Sequence, residues 1–365
     1  MPPYAANDSE RLPHASDCID CDARLTAVPV FVRAPKEANF ATRLNGKWPG
    51  EPPLRDDVYA IYQCSACGST FLHPTYFQEA ASCYDDRRYF EGYYPQNIHT
   101  GGHPNDAEPK FPALRQKLEA GRARWLVELA RKYSPQLSDS PSFLDIGCAT
   151  GLLVWGALAA GLDAFGVEVS HQAQMAKKRC GEDRIHHGYF DETCLGGRQF
   201  HLIVLMQTAE HIQDLSALLK LVQRRLNPGG ALVVVSPNDM GGYRPLFWRR
   251  VWWLIPPMHV RYFSPQSFAR MLDRCGLKLL GSTTTGSFGL DVFMVLTWAA
   301  RRLRISLRPD GLPFKVLRQA FERMCRPLDW VIVKTVGHSE LVLVAGLANP
   351  DPGSQSGEKP ITPDS

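Results

Sequence analysis

The sequence predicts an α/β protein, a mostly parallel sheet wound with helices on both faces, preceded by a small unit built on paired cysteines. Three observations carry this reading. Between residues 142 and 238 the short β-rich runs FLDIG, AFGVEVS, HLIVLMQ and ALVVVSPN alternate with segments of helical spacing. The first run enters a glycine turn and then a helix, FLDIGCATGLL over 143–153. Near the N-terminus stand two C-x2-C pairs, Cys18/Cys21 and Cys64/Cys67.

A chain of 365 residues with 44% hydrophobic composition can bury one full α/β core and still form a smaller accessory unit. Its 41 basic and 37 acidic side chains leave a net charge of +4, too mild to mark a nucleic-acid surface, so no nucleic-acid partner is expected. The opening MPPYAANDSERLPH lacks a basic stretch followed by an apolar core. No run approaches the roughly 18 apolar residues of a membrane span. A cytoplasmic protein is therefore expected. In a reducing compartment its ten cysteines read as thiols or metal ligands rather than disulfides.

Each C-x2-C turn can present two thiolates to one tetrahedral ion, and Cys18, Cys21, Cys64 and Cys67 together would close a structural zinc site with no open position. The 42 residues between the pairs exceed the usual ribbon spacing, while PVFVRA and DVYAIYQC supply strands to carry the knuckles. A redox pair or a chance pairing is the competing reading. A zinc-ribbon-like unit over 1–75 is expected, folded by its metal. An aromatic, turn-rich connector follows over 76–111.

Pro112 opens a helix to residue 133, with Leu114, Leu118, Trp125, Leu126 and Leu129 at helical spacing and Arg115, Lys117, Arg122, Arg124, Arg131 and Lys132 assigned to a solvated face. Further helices are expected over 151–160, 215–226 and 265–275. Asp214 and Ser264 serve as N-caps, Asn-Pro-Gly-Gly stops the second of these helices, and Gly276 ends the third.

In such a sheet a ligand lies outside the carboxyl ends of the strands, against the first βα turn. Counting from Gly147, a dinucleotide fingerprint would need a glycine where Leu152 stands, and no G-K-[ST] follows to make a P-loop. What fits is D-x-G-x-[GA]-x-G: Asp145, Gly147, Ala149 and Gly151. This resembles motif I of the class I S-adenosylmethionine-dependent methyltransferases, in which the turn holds the methionine part of the cofactor. Asp145 would face the ammonium, and Gly147 and Gly151, with Cys148 between, would let the backbone approach. Ala149 is compatible with this provided it does not need a positive φ.

Further segments match the same family in order over about 110–280. Glu168, 23 residues after Asp145, ends the next strand, where a carboxylate accepts the ribose hydroxyls, with Val169 beside it. HHGYFDETCL offers Tyr189, Phe190 and Asp191 to the adenine. VLMQTAEHIQDL carries Gln207 and Thr208 and then Glu210-His211-Ile212, similar to the E-H-[IVL] sequence of the ubiquinone-type O-methyltransferase branch. Pro228-Gly229-Gly230 and Ser236-Pro237-Asn238 complete the series. Some bacterial relatives also carry a C-x2-C…C-x2-C-G segment followed by a Tyr-rich stretch, here CYDDRRYF; sugar C-methyltransferases begin similarly but have a large extra C-terminal domain for which this chain is too short.

The resemblance implies a Rossmann-like sheet of seven strands, closed by the antiparallel SELVLVAGL, in a methyltransferase domain over 112–348 with lid segments at 239–263 and 288–335; the tail at 349–365, rich in Pro, Ser and Gly without apolar anchors, is expected to be disordered. It also implies S-adenosylmethionine as cofactor and methyl transfer to a small molecule. His211 is the first candidate base, against the alternative that it bonds neighbouring backbone or cofactor. His259, in P-P-x-H-x-x-x-F-S, is the second, against a structural role, and His201 is read as structural. Trp248, Trp252 and Trp253 beside Arg249 and Arg250, and later LTWAARRLRISLRP, suit a pocket lid. They also suit a peripheral membrane contact, which a lipid-linked acceptor would explain. An RNA-directed enzyme docking through the zinc unit and a non-catalytic cofactor-binding protein are the alternative functions.

Overall fold

The computed structural model describes residues 17–24, 31–33, 59–74, 111–238, 259–285, 320, 323–324 and 340–348. Two sheets organise them. The smaller contains β1 (Phe31–Arg33), β2 (Tyr59–Gln63) and β3 (Thr70–Leu72), all antiparallel.

The larger unit starts with α1 (Pro112–Tyr133), with Pro112 in its first turn as expected, followed by β4 (Ser142–Ile146), α2 (Leu152–Ala159) and β5 (Asp163–Glu168). Next come α3 (Ala173–Cys180), β6 (Ile185–His187), β7 (Phe200–Met206), α4 (Leu215–Arg225) and β8 (Leu226–Pro237). Asp214 caps α4 by accepting from the Ala217 amide at 2.9 Å. The two-residue β9 (Arg261–Tyr262) precedes α5 (Pro265–Arg274), where Ser264 and Ser267 form a reciprocal capping box. β10 (Leu277–Thr285) and β11 (Glu340–Leu347) complete the chain's described elements.

The seven-stranded sheet runs β10-β11-β8-β7-β4-β5-β6, with β11 antiparallel to both neighbours and the pairs from β8 to β6 parallel. This is the mostly parallel, Rossmann-like sheet expected. Its two faces bury separate apolar clusters. Leu144, Ile203, Leu205, Leu232 and Val234 pack with Leu219 and Val222 of α4 and Phe268 and Leu272 of α5. Phe143, Leu202, Val204, Val233 and Val342 pack with Leu126, Val154 and Ala176 of α1, α2 and α3. Alternation along each strand sends neighbouring residues to opposite faces, so these near-continuous apolar runs require helices on both sides.

Four findings differ from the sequence reading. Leu114 and Leu118 are 56% and 60% exposed; α1 instead packs through Ala120, Ala123, Leu126, Val127 and Ala130. Two of the arginines assigned to a solvated face pair with the buried Glu119: Arg115 Nη2 lies 2.9 Å and Arg122 Nη1 3.0 Å from its carboxylate. Burial of Glu119 follows from close helix packing, because a Cβ on Gly156 of α2 would come within 2.4 Å of the Glu119 backbone. β10 was not foreseen. Finally, β9, assigned to a lid, pairs antiparallel with β3 and becomes the fourth strand of the small sheet. That sheet thus combines three N-terminal strands with a strand from within the sequence of the seven-stranded unit, between β8 and α5. The connector, the Trp/Arg stretches at 248–253 and 298–308 and the tail lie outside the described residues.

Candidate functional site

β4 lies between β5 and β7, and the chain winds outward in both directions from it, so a crevice opens at the carboxyl ends of β4 and β7. The turns leaving these two strands meet there. Gly147 has φ +78°, and a Cβ on it would lie 2.6 Å from the Thr208 methyl group. Glycine is therefore required at 147 both for conformation and for contact with the β7 turn. Gly151, at φ +74°, starts α2 against Ala176, which an added Cβ would approach to 2.9 Å.

Ala149 has φ +49°, contrary to the condition set by the sequence reading. Its left-handed backbone is fixed by its amide, which donates to Glu168 Oε2 at 2.8 Å. The alanine does not remove the turn; the turn holds the alanine in a conformation that costs on the order of 1 kcal/mol. Gln207 is also left-handed, at φ +53°, with its amide bonded to Val235 O at 2.7 Å and its side-chain amide to Glu340 Oε1 at 3.0 Å. Two non-glycine residues at positive φ thus flank the same crevice, a placement common at ligand sites.

Asp145 is 3% exposed, and its Oδ1 has no hydrogen-bond partner. Burial, followed by the nearby Glu168 and Glu119 charges, pushes its carboxyl up to about 8. A buried carboxylate oxygen without a donor is costly, and an ammonium group would satisfy it. Glu168 accepts from the Ala149 and Ser170 amides, one at each carboxylate oxygen and both at 2.8 Å, which fixes its plane. Each oxygen retains a second lone pair, so a pair of hydroxyls remains compatible with it. Cys148 is buried, its thiol driven well above the usual range by desolvation and by the Asp145 and Glu168 charges. Val169 is exposed beside Glu168.

Tyr189 is exposed, and Phe190 stacks beneath the Arg225 guanidinium at 5.2 Å. Asp191 Oδ1 accepts from the Thr193 and Cys194 amides and the Thr193 hydroxyl, all at 2.8 Å, so this oxygen builds the turn after β6. Thr208 donates its hydroxyl to Met206 O at 3.1 Å.

Across from the glycine turn, Glu210, His211 and His259 converge, with ligating atoms within 4.8 Å of one another. Glu210 is completely buried; its Oε2 accepts from the Ser236 hydroxyl at 2.9 Å, and its Oε1 lies 3.9 Å from His211 Nε2. Burial pushes the Glu210 carboxyl up to about 8. The His211 and His259 rings lie 4.8 Å apart, tilted by 57°. Sequence reasoning named both histidines but gave Glu210 and Ser236 no role at the site. The signal for them was present in E-H-I and S-P-N, which end adjacent parallel strands. His201, at the opposite end of the sheet, bonds Ser142 Oγ through Nδ1 at 2.9 Å, a structural contact as expected.

The four N-terminal cysteines form a second cluster, again within 4.8 Å, with Sγ separations of 3.6 Å for Cys18–Cys67 and 3.7 Å for Cys21–Cys64. The Cys18–Cys67 contact, with burial, pushes the Cys18 thiol up, and the same contact holds Cys67 well below the usual thiol range. All eight described cysteines are free thiols.

Residues 117–281 match the family model described as a methyltransferase domain. Among curated proteins, the ubiquinone biosynthesis O-methyltransferase of Brucella ovis is 26% identical over 144 residues, covering 36% of this chain and 58% of that protein. The protein of the same name from Bradyrhizobium diazoefficiens is 31% identical over 101 residues, covering 26% and 39%. The chain thus spans only about half the length of these curated relatives. Among solved structures, magnesium protoporphyrin IX methyltransferase from Synechocystis PCC 6803, with bound SAH, overlaps with a TM-score of 0.37 at 13% identity, covering 64% of this chain and 84% of that one. The family match and the sheet agree on the central segment: residues 117–281 are similar to a methyltransferase domain and form a Rossmann-like sheet.

Proposed function

We propose that the whole protein is an S-adenosylmethionine-dependent methyltransferase that methylates an oxygen of a small-molecule acceptor, a class that takes in metabolites, glycans and lipid-linked compounds. The single observation that carries the cofactor assignment is the buried, unpartnered Asp145 oxygen at the head of the glycine turn, at the crevice of the sheet. In this reading Asp145 receives the cofactor's ammonium, Gly147, Cys148, Ala149 and Gly151 line its amino-acid portion, and Glu168 takes the ribose hydroxyls. Val169, Tyr189, Phe190 and Asp191 border the adenine, and Gln207 and Thr208 form the opposite wall.

When bound, S-adenosylmethionine supplies a methyl group on a positively charged sulfur. The protein's own part is alignment, exclusion of water and management of the acceptor's proton. His211 accepts that proton, with Glu210 Oε1 3.9 Å from its Nε2 and His259 packed beside it. The ubiquinone O-methyltransferases matched at low identity favour oxygen as the nucleophile. No described helix is long and apolar enough to cross a membrane, so a lipid-linked acceptor would be met at a surface. The four cysteines suit a structural zinc ion by donor type and closeness.

The test is incubation with methyl-labelled cofactor and fractionated extract of the host, followed by identification of the labelled product. A labelled small molecule is expected, with release of S-adenosylhomocysteine. Label confined to RNA, or cofactor binding with no release of S-adenosylhomocysteine in any fraction, would overturn the reading.

A further inference from the structure

Asp20 lies within the first cysteine knuckle, between Cys18 and Cys21, and its amide donates to Cys18 Sγ at 3.4 Å. Its carboxylate meets Arg261, 241 residues away: Oδ1 accepts from Nε at 3.2 Å and from Nη2 at 3.1 Å. Both side chains are almost completely buried. The rest of the guanidinium faces a different structure. Nη2 also donates to Gln213 O at 2.8 Å, and Nη1 donates to Ile212 O. One buried cation therefore joins the knuckle to the two residues that follow Glu210-His211.

The backbone makes the same connection in parallel. The Val260 amide donates to Glu210 O at 2.8 Å, and Val260 O accepts from the Leu72 amide at 2.9 Å. Residue 260 is flanked by His259 and Arg261, so the Glu210 backbone and the segment that carries His259 are both tied to the small sheet through Val260. A second tie, Arg270 Nη1 to Ala66 O at 3.0 Å, connects the other knuckle to α5. The cofactor turn bonds Val167 and Glu168, packs on Ala176 and touches the β7 turn through the Thr208 side chain; none of these contacts is to the knuckle or to Arg261.

We propose that Arg261 and Asp20 are positioning residues that transmit the geometry of the four-cysteine knuckle to the Glu210-His211 turn, so that the knuckle sets the acceptor side of the site and leaves the cofactor turn unchanged. The acceptor role of that turn rests on the function proposed above; the coupling itself does not. A guanidinium buried between a carboxylate and two carbonyls is fully engaged only when both sides hold their places. Removing one partner leaves an uncompensated buried charge, and the response falls on the element attached to the other side. Disturbing the knuckle should thus loosen residues 210–214, although none of them belongs to it.

Hydrogen exchange read by mass spectrometry on the full chain tests this, comparing the wild type, Asp20→Asn, Arg261→Lys and Cys18→Ser, with the wild type also measured after chelator treatment. In Asp20→Asn and Cys18→Ser, exchange at 210–214 and 259–262 should rise by about tenfold or more, while 143–152 keeps its wild-type rate. The His211 ring resonances should change their pH titration, a readout that loosening elsewhere would not move. Calorimetry should give an unchanged cofactor Kd. Arg261→Lys, which keeps the charge but not the fork, should behave like Asp20→Asn. Unchanged exchange at 210–214 in both Asp20→Asn and Cys18→Ser would overturn the proposal. So would equal loosening of 143–152, which would mean general unfolding. If Arg261→Lys fails to fold, the other two variants and the chelator-treated wild type decide. Absence of cofactor binding in every sample would refute the methyltransferase reading while leaving the coupling to be judged by exchange alone.

Discussion

The seven-stranded sheet buries an apolar cluster on each face, whereas the described part of the four-stranded sheet buries Ile61, Tyr62, Phe71, Leu72 and Tyr262 beside the thiols and the Asp20–Arg261 pair. The first has enough apolar contact to hold itself together. The described strands of the second are short, and one of them comes from residues that lie between β8 and α5. The difference teaches that the described part of the small sheet is held by contacts more specific than hydrophobic burial: four clustered thiols, which suit a metal, and a buried ion pair that is stable only with both partners present.

Breaking the knuckle should therefore give the largest effect. Cys64→Ser is expected to abolish zinc binding, a term of about 10–16 kcal/mol in isolated zinc modules, and to open 17–24 and 59–74 to proteolysis. The circular dichroism of the large sheet should remain. Loss of both units together would show that the large sheet is not self-supporting. Next in size is Leu205→Ala at the centre of the large sheet, where Leu205 is fully buried. A loss of about 2–5 kcal/mol in denaturant unfolding is expected, with metal content unchanged.

The Asp145 carboxyl sharpens the comparison through pH. Its native value is raised to about 8, so between about pH 4 and 8 the folded chain retains a proton that the unfolded chain loses. The cofactor-free protein should accordingly lose stability as pH rises through that window, and Asp145→Asn should make the slope shallower, leaving the share that the raised Glu210 carboxyl contributes. An ammonium ligand favours the carboxylate, so binding at pH 7 should release up to one proton. Calorimetry in two buffers of different ionisation enthalpy measures that release. The smallest effect belongs to Ala149→Gly, which relieves a left-handed alanine and should add about 1 kcal/mol of stability while cofactor binding persists.

How far the sequence foretells this molecule depends on the range of the interaction. The apolar runs of β4, β5, β7 and β8 and the caps at Asp214 and Ser264 are local patterns, and they appear where the pattern puts them. β10 was hidden because its second half, GSTTT, has no apolar alternation; Gly281 is there because the Tyr133 ring occupies the space a Cβ would need. Leu114 and Leu118 misled because spacing alone does not say which stripe of a helix meets the sheet. The pairings Asp20–Arg261 and β3–β9 join residues some 190 to 240 positions apart, and no local signal announces them. At the site, the residue types around the glycine turn were legible. The left-handed φ of Ala149 was not, because it is imposed by Glu168 from the next strand.

The central claim is that the turn after β4 holds S-adenosylmethionine through Asp145. Titration calorimetry of S-adenosylmethionine into the wild type and Asp145→Ala, with folding of both confirmed by circular dichroism, tests it most directly. A Kd on the order of micromolar for the wild type and no measurable heat for the variant are expected. Equal binding by both proteins, or no binding by the folded wild type, would contradict the claim.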